Sequence, residues 1–222
     1  MLPSFLVELI PHHLPTISPT HLGKRMAVSL LWMGLALLGI LQAQAQPRPQ
    51  IPAPDLSRVP LQANFLPKEF EGTWYVVGLA GNAFTRAEQE QFKMYTTTYN
   101  LQEDNSYRVT SNLLRGNRCD KFVRTFVPGG QPGQFTLANI AGHGLQDYTV
   151  KVMRTNYNEF AMVYFKKRVD NIDYFKMTLY GRSEELRPEL KENFINLVKS
   201  LGLTDNNILF PSKVEKCIHV KA

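Results

Sequence analysis

The chain has 222 residues, 44% of them hydrophobic and 20% charged, with a formal net charge of +6. These are globular values, which excludes disorder along the whole length, and the basic excess falls far short of the lysine and arginine density of a nucleic-acid binder. Five histidines and two cysteines are too few and too scattered for a zinc site made by the protein itself.

Lys24 and Arg25 precede Met26, and residues 28–41 are apolar or small except Ser29. Ala43-Gln44-Ala45 then supplies a small-x-small cleavage pattern. Residues 1–45 therefore read as an N-terminal extension and signal peptide, with Met26 as a second candidate start. The apolar run is shorter than the ~20 residues of a membrane span, Gln42, Gln44 and Gln46 break it, and no other stretch approaches that length. Removing 45 of 222 residues leaves 177, one domain of ordinary size, and the loss of Lys24, Arg25 and Glu8 lowers +6 to +5. Only His143 and His219 remain among the histidines, and both are expected on the surface. Export permits a disulfide, and the economical reading of Cys119 and Cys217 is one bridge; the alternative is two free thiols. No Asn-x-Ser/Thr sequon occurs.

Residues 46–66 form a Pro-rich arm, extended and poorly helical. Eight β-like runs follow: Gly72–Gly81, Lys93–Gln102, Ser106–Arg115, Arg118–Val127, Gln134–Ile140, Asp147–Thr155, Phe160–Arg168 and Asp173–Arg182. The turns between them carry Gly, Asn and Asp, as at Gly116-Asn117 and Asp170-Asn171. Eight strands joined by short hairpins predict an all-β fold, an antiparallel up-and-down barrel over 72–182 able to hold one ligand. One flanking helix is predicted over 188–201. Pro188 suits its first position, Leu190, Phe194, Leu197 and Leu201 make a single apolar stripe, and Gly202 follows as a cap. A helix with one such stripe belongs on the outside of the barrel, and the domain closes with a C-terminal tail ending at residue 222.

Alternation along three strands sets a basic residue among aromatics each time. Phe122, Arg124 and Phe126 share a face, as do Ala161, Val163, Phe165 and Lys167, and Tyr174, Lys176, Thr178 and Tyr180. Strand phase alone does not say whether those faces look outward to water or inward to a lumen. If inward, the pocket is cationic and walled with rings, and it favours a flat anionic aromatic ligand through charge and cation–π attraction. Each cation about 5 Å from a unit negative charge would gain roughly 3 kcal/mol at an effective dielectric near 20. Lys166 holds the opposite phase and is expected outside, and Arg115 and Arg118 are expected to flank a hairpin turn.

Gly72-Thr73-Trp74 at the head of the first strand, Thr155-Asn156-Tyr157 between the sixth and seventh, and Arg182 after the eighth resemble, in order, the three lipocalin motifs. Asn156 stands in place of the family's Asp. The resemblance spans about residues 65–220. It implies the calyx fold, with Gly72, Trp74 and Arg182 as structural residues closing one end and a disulfide between Cys119 and Cys217. Further matches at 74–82, 124–129, 155–158, 165–167, 174–176, 179–182, 190–194 and 199–203 resemble the siderophore-binding lipocalins. That likeness implies a secreted protein of innate immunity, stored in granules, that sequesters and traffics iron as ferric catecholate siderophores of the enterobactin type. It implies a ligand set of Arg124, Lys167, Lys176, Tyr148, Tyr180, Tyr95, Phe122, Phe165, Tyr174, Thr178, Ser111 and Asn82. No intrinsic cofactor is implied, since Fe(III) is held by the siderophore and by no protein ligand. The implied partners are the ferric siderophore and a cell-surface uptake receptor, with no nucleic acid and no membrane span.

Three departures shape the expectation. Phe122 stands where a Trp is expected, which makes the wall smaller there. Gly130 replaces an unpaired Cys, which favours a monomer. The loop 140–145 is one residue shorter. The alternative function is a general carrier of a small hydrophobic ligand such as a retinoid or fatty acid, which the three cations disfavour. No enzyme activity is expected: isomerase-type lipocalins need a free thiol, and no Ser/His/Asp set or phosphate loop is present.

Overall fold

A computed structural model describes residues 51–82, 84 and 91–218. The signal-peptide reading of 1–45, the first part of the arm and His219 lie outside the described residues.

Among the described residues nine strands make one sheet: β1 (Gly72–Gly81), β2 (Thr96–Leu101), β3 (Tyr107–Arg115), β4 (Arg118–Pro128), β5 (Gln134–Leu137), β6 (Asp147–Thr155), β7 (Phe160–Val169), β8 (Ile172–Gly181) and β9 (Ile208–Leu209). From β2 to β8 each strand pairs antiparallel with the next in sequence, and β1 pairs with both β8 and β2, so the first eight strands close into the expected barrel. The β7–β8 hairpin shows how local chemistry sets the register. Asp170 and Asn171 both hold positive φ, at 50° and 62°, which a tight two-residue turn of the favoured hand requires and which these residue types tolerate.

Beyond one-residue shifts at element ends, three features differ from the sequence expectation. Lys93–Tyr95 precede β2 because this stretch meets the C-terminal tail instead: Lys93 bridges to Ser212, and the Met94 N–H donates to the Ser212 carbonyl. β5 ends at Leu137 because Asn139 turns left-handed at φ 51° and starts a 3-10 turn over Ile140–His143. The third is β9, which the tail adds beside Leu79 and Ala80 of β1; a strand of two residues carries no periodic signal.

Two apolar layers result. One lies inside the barrel, built on Trp74, Val76, Tyr99, Tyr107, Val109, Phe126, Val150, Val163 and Tyr180. The other lies between the outer wall (Met153, Met162, Met177, Leu179) and the helix, which presents Leu190, Phe194, Leu197 and Val198. This helix, α2 (Pro188–Ser200), therefore sits outside the barrel as its single stripe requires. It stops through two bonds: the Leu203 N–H donates to Val198 O and the Gly202 N–H to Lys199 O, with Gly202 at φ 97°. The arm is tied to the outer wall by Lys151, whose buried amine donates to the carbonyls of Leu56 and Val59 at 2.9 and 2.7 Å.

The closed end brings the three motifs together. A one-turn helix, α1 (Pro67–Phe70), places Phe70 against Trp74, with ring centres 5.3 Å apart, and the Trp74 Nε1–H donates to Phe70 O. Arg182 lies over the Trp74 ring at 3.6 Å. Its guanidinium donates to the carbonyls of Tyr157, Thr73 and Glu69. Asn156 serves in place of Asp because its Oδ1 still accepts from the N–H groups of Glu159 and Phe160. The expected bridge is present between Cys119 and Cys217, 98 residues apart, joining the start of β4 to the tail. Among the described residues no helix is long and apolar enough to cross a membrane.

Gly72 holds φ 94°, and a Cβ there would lie 3.2 Å from Arg182 Nη1. Gly72→Ala is expected to cost about 1–2 kcal/mol, and Arg182→Ala about 3 kcal/mol, since it strips three carbonyls and one ring of their partner. Urea unfolding followed by Trp fluorescence checks both.

Candidate functional site in the barrel lumen

The inward phase proves to be the one that carries the cations. On β7 the run Ala161, Val163, Phe165, Lys167 is buried, and Lys166, of opposite phase, pairs outside with Asp173 at 3.4 Å and Asp147 at 4.0 Å. On β4, Val123 is 44% exposed, whereas Phe126, one face over, is buried, so Arg124 and Phe122 share its inner side. On β8, Thr178 and Tyr180 are buried in the same phase as Lys176 and Tyr174.

Register then sets each lysine opposite a ring. Lys167 pairs with Tyr174 on one side and Tyr148 on the other, and Lys176 pairs with Phe165. The Lys167 amine lies 5.5 Å from the Tyr174 ring centre, and the Lys176 amine 4.9 Å from that of Phe165. These are cation–π distances. Below them, towards the closed end, Phe126 stacks on Tyr148 at 5.9 Å and approaches Phe165 at 6.3 Å. Tyr99 and Tyr180 share a hydroxyl–hydroxyl bond of 3.2 Å, which makes a floor of linked rings.

The three cations sense one another. Burial pushes the Lys176 amine down to about 7, with Arg124 and Lys167 adding to the shift. Burial also pushes Lys167 down to about 8, with Arg124 adding. Such coupling arises only where charges face a common, poorly hydrated space. Burial drives the phenols of Tyr95, Tyr148 and Tyr180 upward, so at neutral pH they are neutral donors. The Arg124 guanidinium donates through Nη2 to Ser111 Oγ at 3.2 Å, and Ser111 is bonded in turn to Thr97 at 3.0 Å. Arg124 Nε and Thr178 Oγ1 are buried without a hydrogen-bond partner among the described residues. Donors left this way are costly unless a ligand takes them.

Eleven of the twelve residues expected to bind ligand thus lie on or beside the lumen: Arg124, Lys167, Lys176, Tyr148, Tyr180, Phe122, Phe165, Tyr174, Thr178, Ser111 and, packed against the inner core just before β2, Tyr95. Ser111 acts on Arg124 as much as on the lumen. Asn82 is placed differently. Its amide donates to Ile51 O and Asp173 O and accepts from the Phe175 N–H, so it clamps β1, β8 and the arm, with both of its N–H donors spent. Thr97 was missed, and its inward phase on β2 was the signal available. Arg115 and Arg118 do flank a hairpin turn, and they also hold the lumen phase. A separate cleft of about 650 Å³ lies between the arm and Lys151 on the outer wall, away from these residues.

Comparison with known proteins agrees with this geometry. A family-wide sequence profile, described as the lipocalin / cytosolic fatty-acid binding protein family, matches residues 71–215. The chain is 59% identical over 196 residues to human neutrophil gelatinase-associated lipocalin, covering 87% of this chain and 99% of that protein. It is 54% identical to the mouse protein of that name over 87% of this chain and 99% of the other, and 35% identical to mouse prostaglandin-H2 D-isomerase over 86% and 98%. Among solved structures, the solution structure of lipocalin 12 from rat epididymis superposes with a TM-score of 0.64 at 30% identity, covering 73% of this chain and 93% of that one. The chain belongs to the lipocalin family.

Proposed function

We propose that this lipocalin captures ferric catecholate siderophores of the enterobactin type in its lumen and so withholds iron from bacteria, as a secreted protein of innate defence. Lipocalins carry small ligands, and the observation that carries the finer reading is the convergence of Arg124, Lys167 and Lys176 on one ring-walled space. A retinol has no charge to set against those cations and a fatty acid brings a single carboxylate against three. A tris-catecholate complex of iron is trianionic and presents flat rings, which suits both the cations and the aromatic walls. The iron arrives wrapped in its chelator; among the described residues no three His, Cys, Asp or Glu side chains converge to hold it directly. Gly130 is exposed, with nothing within 4 Å of a Cβ built there. A cysteine at that spot would be open to pairing, so its replacement favours a monomer that a cell-surface receptor takes up as the loaded complex. The isomerase among the relatives suggests enzymic chemistry, but the sulfurs of both cysteines are joined to each other, which argues for a carrier.

Titrating intrinsic fluorescence with ferric enterobactin tests the reading. The double variant Lys167→Ala, Lys176→Ala should lose about 100-fold or more in affinity while keeping the wild-type circular dichroism spectrum. Equal affinity in the two proteins overturns the charge mechanism, and tight binding of retinol in place of the chelate favours the hydrophobic carrier.

The depressed lysine pKa values carry a second expectation. Both lie below the unfolded value of 10.5. Below about pH 7 the lysines are charged in folded and unfolded chains alike, and the full cost of burying them is present. Between about 7 and 10.5 the unfolded chain holds more protons, so ligand-free stability rises with pH. Lys176→Met should be more stable than wild type near pH 6 and should lose most of that advantage by pH 9.5. Denaturant midpoints of the two proteins across that range give the comparison, and a difference that stays constant with pH refutes it.

A further inference from the structure

The β3–β4 hairpin raises a second set of charges above the first. Counting by twos from Ser111 brings Leu113 and Arg115 to the lumen side of β3, and counting back from Arg124 brings Phe122, Asp120 and Arg118 to that side of β4. Register pairs Arg115 with Arg118, Leu113 with Asp120 and Ser111 with Phe122. One carboxylate serves both arginines: Asp120 Oδ2 lies 3.3 Å from Arg115 Nε, and Oδ1 lies 2.9 Å from Arg118 Nε.

The two arginines are not alike. The Arg118 side chain is 80% exposed. Arg115 lies over the Phe122 ring, with its guanidinium carbon 5.5 Å from the ring centre, and its Nη2 is buried with no hydrogen-bond partner among the described residues. Two N–H donors on that nitrogen have lost water and received nothing in return. A guanidinium stacked on a ring, held at Nε by Asp120 and unfilled at Nη2, matches a planar oxyanion, and a carboxylate above all. Two arginines against one aspartate leave the rim positive, so an added anion is not repelled. Phe122 separates this set from Arg124: along β4 the Phe122 level lies about 7 Å and the Arg115–Arg118 pair about 20 Å from Arg124, and the Arg115 side chain reaches back over the Phe122 ring. One ring at Arg124 does not span that gap, but a second ring of the same tris-chelate, seated above Phe122, brings its substituent to Arg115.

We propose that Arg115, held by Asp120 over Phe122, is a carboxylate-binding subsite at the lumen rim, and that it favours chelates whose aromatic ring carries a carboxylate over the same chelates without one. The inference rests on the proposed function in placing a catecholate ring at Arg124.

The test uses two ferric tris complexes, one of catechol and one of 2,3-dihydroxybenzoate, under conditions that keep three diphenols on each iron. Wild type should prefer the carboxylated complex by about tenfold. Arg115→Met should level the two while changing affinity for the catechol complex by less than about twofold. Arg118→Met removes the same charge from the same rim and should keep the preference. No preference in wild type, a preference that survives Arg115→Met, or an equal loss in Arg118→Met each overturns the subsite. If wild type binds neither complex, the reading of the lumen falls as well, whereas binding both without preference removes the rim subsite alone.

Discussion

The central constraint is that three positive charges face one another across a space that water hydrates poorly. Like charges in such a place are doubly unfavourable, through lost hydration and through repulsion. The depressed amines of Lys167 and Lys176 record both effects. The barrel meets that cost in part by geometry. Each lysine stands opposite a ring in the neighbouring strand, and the negative faces of those rings give back some of the lost hydration. The remainder is stored in the ligand-free protein, and it is the free energy an anionic ligand would recover on entering. Sites that work by recognition commonly hold such a reserve.

A reserve of this kind needs a scaffold stable without help from the lumen. The two-layer organisation supplies it. The outer layer, with α2 against Met153, Met162, Met177 and Leu179, and the plug of Phe70, Trp74 and Arg182 hold the barrel from outside and below. Neither includes a residue that senses the lumen charges. The upper lumen is therefore free to carry an unsatisfied donor such as Arg124 Nε, which a core needed for folding would not tolerate.

What was legible in the sequence follows from this division. Period-2 alternation named the faces of β4, β7 and β8, and the Asp170-Asn171 turn fixes which residues of β7 and β8 lie opposite each other, so the Lys167–Tyr174 and Lys176–Phe165 pairs are local facts. Which side of those faces is the inside is a property of closure, which no single strand encodes. Long-range pairings were hidden for the same reason. β9 depends on the tail returning to β1, and Lys93 leaves β2 because Ser212 comes to meet it. Asn82 was assigned to the lumen by likeness, yet its amide is consumed by three backbone groups from β8 and the arm, partners that only the folded chain assembles.

Arg115 is the converse, a residue whose place beside a turn and whose lumen phase are both legible in the sequence. Both roles hold at once, because the last residues of a hairpin facing a lumen are also the rim of that lumen. Phe122 connects the two levels of charge. It pairs with Ser111, which orients Arg124 below, and it carries Arg115 above on its ring. An aromatic side chain between two guanidinium groups keeps them apart without hydrating either, so one strand presents two positive steps instead of one diffuse patch. A bound anion would then be located along β4 as well as across the barrel, which is how a cup with three similar charges could still hold its ligand in one orientation.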